Sequence, residues 1–331
     1  MNPGRLLAII IFLLILYADL HSQNVVEYQK HFAICKSIET QQLFIAMRIF
    51  HYRDEINYLV VNPNDLSTYI FREDQVNVKD DSWDDILFRF NSTSYIKALH
   101  EASENADVIQ DAGITHFSSF EQGADLTVDL CPSFKPLDRE LFINLINGFG
   151  KEEKPVPVAI SVTGIWMKEH ESDLIWLKDL MNKKEISITW INHTYNHKTS
   201  RTLPLKENFL LEKGTDLNFE VLQTEIKMIE EGIVPSPFFR FPGLVSDKEI
   251  FKKIIEFGLI PIGSDAWLAK NQWPKDGSII LLHGNGNEPI GIDRFLKLLK
   301  DEKNNIRKDR WLLYDLRESI ENFEDTIKLH K

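Results

Sequence analysis

Asp129, His193, His197, Arg240, Asp265 and His283 are side chains able to hold a metal or move a proton, and they fall in five short stretches of a 331-residue chain. The stretches read Thr127-Val128-Asp129-Leu130-Cys131-Pro132, Asn192-His193-Thr194-Tyr195-Asn196-His197, Arg240-Phe241-Pro242-Gly243, Ser264-Asp265-Ala266-Trp267 and Leu281-Leu282-His283-Gly284. The histidines at i and i+4 share one face if the chain turns helically there, and two such imidazoles can converge on one divalent cation. Each residue alone has a structural explanation: Asp129 as a helix cap, Arg240 as a surface ion-pair partner, Asp265 as the end of a turn, His283 as a satisfied core histidine. What sets them apart is a shared position, because every one of them closes an apolar run.

Those runs are 126–131, 156–162, 186–193, 238–241, 259–265, 278–283 and 311–316. Amphipathic helical stretches lie between most of them, about 138–148, 170–183, 217–231, 247–257 and 293–303, with a last helix after 316. Apolar strands alternating with helices mean a parallel sheet with helical crossovers. Seven units in about 210 residues suit a distorted (β/α)7 barrel better than an open doubly wound sheet, and no glycine-rich nucleotide loop follows the first strand. In such a barrel the reacting groups stand at the C-terminal ends of the strands, which is where the five stretches fall.

Residues 24–120 read as a small α+β region in front of the barrel at 121–331. Runs 56–61 and 68–72 flank the turn signal Asn62-Pro63-Asn64-Asp65 and form a hairpin, and Ile96, Leu99, Ala102, Ala106 and Ile109 give a helix over 94–111. No chemical motif occurs there. The first 23 residues combine Arg5, a twelve-residue apolar stretch at 6–17 and small residues at Ala18 and Ser22. That is the pattern of a signal peptide, with an uncleaved anchor as the alternative, so the chain is expected to be secreted, periplasmic or membrane-anchored. A net charge of −12 argues against nucleic acid or an anionic membrane as partner. Two cysteines, Cys35 and Cys131, make no disulfide framework, though a single bridge between them remains open. Asn91-Ser92-Thr93 and Asn192-His193-Thr194 are formal glycosylation sequons, the second inside the histidine stretch.

The five stretches, in this order, resemble the motifs of the polysaccharide deacetylase family (the NodB-homology, or carbohydrate esterase 4, group) over about residues 121–320. The resemblance implies the distorted barrel reached above and a metal-dependent hydrolysis of N-acetyl, sometimes O-acetyl, groups on glycans such as chitin oligomers or peptidoglycan. It implies no stable protein partner. By the same resemblance Asp129 is the general base, His193 and His197 are metal ligands, Arg240 orients the base, Asp265 is the acid that tunes the catalytic histidine, and His283 is the general acid. A backbone N–H near Gly243 would help hold the oxyanion. Trp267, with Trp166, Trp190 and Trp273, offers faces for sugars, or else is core.

The match departs from the family at three places. Leu130 stands where the family has a metal-binding Asp, and leucine ligates nothing. Cys131 is next to it, and thiolate is a good zinc ligand, but neighbours on a strand point to opposite faces, so Cys131 reaches a metal only if the strand has already turned. Asp129 could ligate instead, with Asn285, Asn287 and Glu288 more remote. Pro242-Gly243-Leu244 replaces the usual Pro-Tyr-Gly, and Asp265-Ala266-Trp267 lacks the second Asp before its Trp. The expected cofactor is a divalent metal, zinc first, with cobalt and nickel as alternatives. Two other functions remain in view: a metal-independent hydrolase of another C–N bond on the same barrel, and a catalytically inactive glycan-binding protein.

Overall fold

The computed structural model describes residues 25–117, 122–149 and 153–321, and the expected leader at 1–23 lies outside them. Five antiparallel strands come first: β1 (Val25–Ser37), β2 (Leu43–Tyr52), β3 (Glu55–Val61), β4 (Thr68–Arg72) and β5 (Val76–Asp80), in the spatial order β4-β3-β2-β1-β5. The expected hairpin is β3–β4, with Val61 opposite Thr68. Its turn is held by side chains imitating backbone: Asn62 Oδ1 accepts from Asn64 N at 3.1 Å and Asp65 Oδ1 from Ser67 N at 2.8 Å. The helix that begins at Ser94 stops at Glu104 rather than 111. Asn105 Nδ2 donates to the Asp111 and Gly113 carbonyls and so bends 105–113 into a loop.

A parallel sheet follows: β6 (Gly123–Leu130), β7 (Val156–Val162), β8 (Ile186–Asn192), β9 (Phe238–Phe239), β10 (Ile260–Pro261), β11 (Ala266–Trp267), β12 (Ser278–His283) and β13 (Leu312–Tyr314). Its order is β10-β9-β8-β7-β6-β12-β11, and β13 pairs with the first residues of β6. All seven expected runs are strands, and β11 is an eighth, too short to leave a pattern. The sheet curls into a half-barrel with helices outside it. Its end strands β10 and β11 do not pair with each other. A segment ahead of the barrel lies in that seam: Ile114 bridges Ile262 in parallel and His116 bridges Ser278 antiparallel.

Strand alternation sorts the side chains. Leu126, Val128 and Leu130 of β6 join Val158, Ile160 and Val162 of β7 and Ile188 and Trp190 of β8 in the core beneath the helices. The alternate positions, Asp125, Thr127, Asp129, Ser161 and Thr189, are buried and polar, on the barrel's inner face. Leu130 therefore belongs to the helix-side core.

The antiparallel sheet shares a second hydrophobic core with the barrel, in which Ile45, Met47, Phe50 and Leu59 meet Phe239, Phe241, Ile260 and Ile262. A buried polar cluster crosses it. Arg48 on β2 donates through Nε and Nη2 to the two oxygens of Glu225 at 2.7 and 2.9 Å, and through Nη1 to the Phe257 carbonyl at 2.7 Å. Tyr28 OH adds a fourth bond, to Glu225 at 2.9 Å. Both charged side chains are excluded from water. Cys35 and Cys131 are both free and buried, Cys35 within the antiparallel sheet's own core.

Removing one partner of such a pair leaves a buried charge alone. Arg48→Met is expected to cost about 3–5 kcal/mol in urea unfolding, and the double variant Arg48→Met/Glu225→Leu far less. A second expectation concerns Glu153, whose carboxylate accepts from Leu313 N at 3.3 Å. Burial pushes its carboxyl from 4.5 up to about 7 against the lowering effect of the Leu313 N–H, with the Glu318 charge adding to the rise. The folded state then holds that proton longer than the unfolded one, so its contribution to stability is whole below about 4.5 and is lost as pH rises to about 7. Glu153→Gln should accordingly raise the melting temperature near pH 8 and leave it unchanged near pH 4.

Candidate active site

Asp129 is the next-to-last residue of β6, and its backbone carbonyl accepts from Gly284 N at 3.1 Å, fixing it beside the end of β12. Its Oδ1 lies 3.2 Å from Arg240 Nη1, which also donates to Thr127 Oγ1 at 2.8 Å, while Arg240 Nη2 donates to the Gly263 carbonyl at 2.9 Å. Arg240 is fully buried inside the barrel, so the guanidinium is held on three sides and in turn holds the carboxylate. The other carboxylate oxygen, Oδ2, faces His193 Nε2 at 3.8 Å.

Cys131 lies one residue beyond β6, and the alternation that sends Leu130 to the helices returns Cys131 to the side of Asp129. The thiol therefore reaches the space Asp129 faces without the turn that sequence had required of it. Cys131 Sγ is 3.6 Å from His193 Nε2, and with His197 the three donor atoms all lie within 4.8 Å of one another. Ligands of a tetrahedral zinc, at bond lengths of about 2.0–2.3 Å, stand roughly 3.3–3.8 Å apart, so the three donors fit such an ion by type and the Cys131–His193 pair by spacing, with His197 close enough to complete the set. His193 is pre-set for this role. Its Nδ1 is 2.9 Å from the Arg240 carbonyl, which can only accept; Nδ1 therefore carries the proton and Nε2 offers its lone pair.

The two histidines do not converge through a helical turn, as their spacing suggested. Residues 193–197 form a loop with Thr194 at φ +69° and His197 at φ +48°. What imposes this path is Glu220, in the first turn of the helix Leu217–Glu230, whose carboxylate accepts from Tyr195 N, Asn196 N and Asn196 Nδ2 at 3.0, 2.8 and 2.8 Å. Asn192 Oδ1 accepts from Thr194 N at 3.0 Å, and Asn192 Nδ2 is occupied by the Val221 carbonyl, so the second sequon is a buried structural asparagine. The two rings end with centroids 4.8 Å apart.

His283 ends β12 and faces Glu288, whose Oε2 is 2.9 Å from its Nδ1, off the N–H axis. Burial works against a charged ring, yet Cys131, Glu288 and Asp129 together hold the His283 pKa well above its ordinary value. Burial likewise opposes a thiolate at Cys131, and His197, His283 and His193 override it, so the Cys131 pKa falls well below that of a free thiol. The site is thus a thiolate and a carboxylate among three imidazoles.

Asp265 is not among them, and the expectation that it tunes His283 is corrected. Its carboxylate accepts from Ile279 N and Ser278 Oγ, both at 3.1 Å, and pairs with His116 at 2.9 Å. Those contacts hold it at the start of β12, roughly 13 Å along the strand from His283. The cause is the short β11, which pairs Ala266 with Ile280 and so sets Asp265 beside Ile279. Trp267 is buried, donates to Glu288 Oε2 at 2.8 Å and carries Lys270 Nζ 3.4 Å from its ring centroid, so it supports the acid rather than offering an open face. Trp166 and Trp190 are core; Trp273 is exposed. Gly243 has φ +61°, and a Cβ there would lie 2.4 Å from the ring of Phe209. Phe209 belongs to the 198–216 insertion, which Asn208 ties together through Ser200 and Leu203, and its ring meets His197 edge-on at 6.0 Å. Glu220, Glu288 and Phe209 carry no pattern that would mark them in sequence; Glu288 stood out only as a remote ligand candidate.

Residues 26–96 match the model of the RP012 protein N-terminal domain. Solved structures similar to this chain include a family 4 carbohydrate esterase from Bacillus anthracis, at 19% identity over 68% of this chain and 91% of that one, with a TM-score of 0.47. PdaA, a family 4 carbohydrate esterase of Bacillus subtilis, is similar at 16% identity, covering 70% of this chain and 90% of its own, with a TM-score of 0.46. A CE4 family pseudoenzyme from Bacillus anthracis is similar at 13% identity, over 63% and 69%, with a TM-score of 0.43. Identities and TM-scores this low carry no chemistry across.

Gly243→Ala tests the contact between the insertion and the site. A Cβ at positive φ strains the backbone and strikes the Phe209 ring at once. The variant should lose about 1 kcal/mol or more in denaturant unfolding and be cut faster by protease within 198–216.

Proposed function

We propose that this chain is a metal-assisted hydrolase that removes acetyl groups from N-acetylated, or O-acetylated, glycans of the chitin-oligomer or peptidoglycan kind. The observation that carries the reading is one arrangement: a carboxylate clamped by a buried arginine, facing a thiolate and two imidazoles gathered within 4.8 Å, with a half-buried histidine at the neighbouring strand end. The resemblance of the five strand-end motifs to those of polysaccharide deacetylases supports the choice of substrate class. Cys131, His193 and His197 would hold the metal, with zinc favoured by the thiolate, cobalt and nickel being the alternatives. When bound, the ion would supply Lewis-acid polarisation of the acyl carbonyl and lower the pKa of a water.

The chain's own groups do the rest. Asp129, oriented by Arg240, takes the proton from the attacking water as the O–C bond forms. His283, whose surroundings favour its protonated form, gives its proton to the leaving nitrogen as the C–N bond breaks. Asp129 stays free for proton transfer because Cys131 takes up the coordination that the missing carboxylate would have met. The expected place of action is outside the cytoplasm, with residues 1–23 acting as a signal peptide or, uncleaved, as an anchor.

A second reading is favoured by a specific contact. A thiolate 3.6 Å from an imidazole is also a nucleophile, and a metal-independent hydrolase would attack the acyl carbon with Cys131 Sγ, release the amine protonated by His283, and pass the thioester to water. Acetate release from N-acetylated chito-oligosaccharides and peptidoglycan fragments separates the two. Activity that chelator removes and zinc restores, and that Asp129→Asn lowers by about 10²-fold or more, is the expected result. Activity that survives chelation but not iodoacetamide would transfer the chemistry to Cys131. No acetate from any substrate under any of the three metals would overturn the deacetylase reading.

A further inference from the structure

Resting on that reading, the structure assigns to Glu288 the place left open by Asp265: we infer that Glu288 is the positioning residue that fixes the catalytic tautomer of His283, with Trp267 aiming its carboxylate. Glu288 Oε2 stands 2.9 Å from His283 Nδ1 and accepts from Trp267 Nε1 at 2.8 Å. One oxygen thus faces both rings, and the Trp267–His283 ring centroids are 6.0 Å apart. A modest turn of the imidazole brings Nδ1–H onto that oxygen. With Nδ1 so held, Nε2 is the nitrogen left to deliver a proton, as required of a general acid whose other nitrogen is held by an orienting carboxylate.

Glu288 is suited to the task by where it sits. It immediately precedes the helix Pro289–Ile306, yet its side chain makes no capping bond to that helix, so the carboxylate is not committed to holding up the backbone. Pro289 at the first helical position fixes the backbone direction there. Burial works against the Glu288 charge, yet the His283 ring, the Trp267 Nε1–H and Lys270 together hold its carboxyl below the usual carboxylate range. The link to His283 runs through only four residues of chain, in a loop anchored by Asn285 Nδ2 on the Cys131 carbonyl and by Lys135 Nζ on the Gly286 carbonyl. Asp265, by contrast, is taken up by His116, Ser278 and Ile279.

The test compares wild type with Glu288→Ala, Glu288→Asp and Trp267→Phe in two measurements. The first is kcat and KM for acetate release by the zinc-loaded protein. The second is the ring ¹⁵N–¹H correlation spectrum of His283 in metal-free protein, recorded at a pH high enough for the ring to be neutral and assigned with His283→Gln. Glu288→Ala should lower kcat by roughly 10²-fold with KM little changed, Glu288→Asp should recover part of the loss, and Trp267→Phe should show the same pattern in weaker form. The wild-type spectrum should carry the proton on Nδ1, and Glu288→Ala should shift the population toward Nε2–H. An unchanged tautomer in Glu288→Ala, or unchanged kcat, would overturn the assignment. A wild type that releases no acetate but shows the tautomer shift would retire the deacetylase reading and leave the role of Glu288 standing.

Discussion

Glu225 is a carboxylate with no access to water, and a charge so placed persists only where donors surround it. Arg48 supplies two and Tyr28 a third, all from the antiparallel sheet. Because the bidentate geometry tolerates little displacement, it fixes where the helix Leu217–Glu230 lies along its axis. Five residues earlier, about 7.5 Å along that helix, Glu220 gathers the backbone of 195–196 and turns His197 back toward His193. The histidine pair is thus held in place by a sheet that touches no reacting group. This gives the N-terminal region a definite part in the molecule: it positions the helix that shapes the histidine loop.

The centre itself divides its work by donor softness. In a site built on two carboxylates and two histidines, the acids compete for the cation and one must remain free. Here the Arg240 guanidinium holds Asp129 on one side, while a sulfur that binds zinc readily stands on the other. In the proposed reaction the base and the ligand set are therefore chemically distinct. The network that favours the thiolate at Cys131 also favours protonated imidazoles at His197 and His283, so opposite charges face one another across the centre.

What could be read from sequence was whatever depends on local pattern. Seven strand–helix alternations and a polar residue closing five of the strands were enough to locate Asp129, His193, Arg240 and His283 at neighbouring strand ends. Cys131 was harder, because the resemblance put the ligand at position 130, and measured from there alternation turns residue 131 away; measured from Asp129 the same alternation brings it to the site. The loop at 193–197 was misjudged as helical because the force that bends it comes from Glu220, more than twenty residues away. Asp265 was misplaced for a like reason: a two-residue strand has no periodicity, yet its register decides which end of β12 the carboxylate meets. Glu288 follows His283 closely in the chain, but nothing in His-Gly-Asn-Gly-Asn-Glu tells which way the loop folds back.

The seam of the barrel has a consequence for how the chain comes together. Ile114 and His116 leave the ribosome well before their partners, since Ile262 and Ser278 follow about 150 residues later. Contacts of that sequence separation form late, after the cost of closing a very long loop has been met. During synthesis the antiparallel sheet and its trailing segment therefore wait beside a growing set of unpaired strands. Since β12 carries His283 and anchors that segment at its first residue, the last stage of barrel closure and the assembly of the acid are one event, and an incompletely made chain holds its histidine loop and its acid apart.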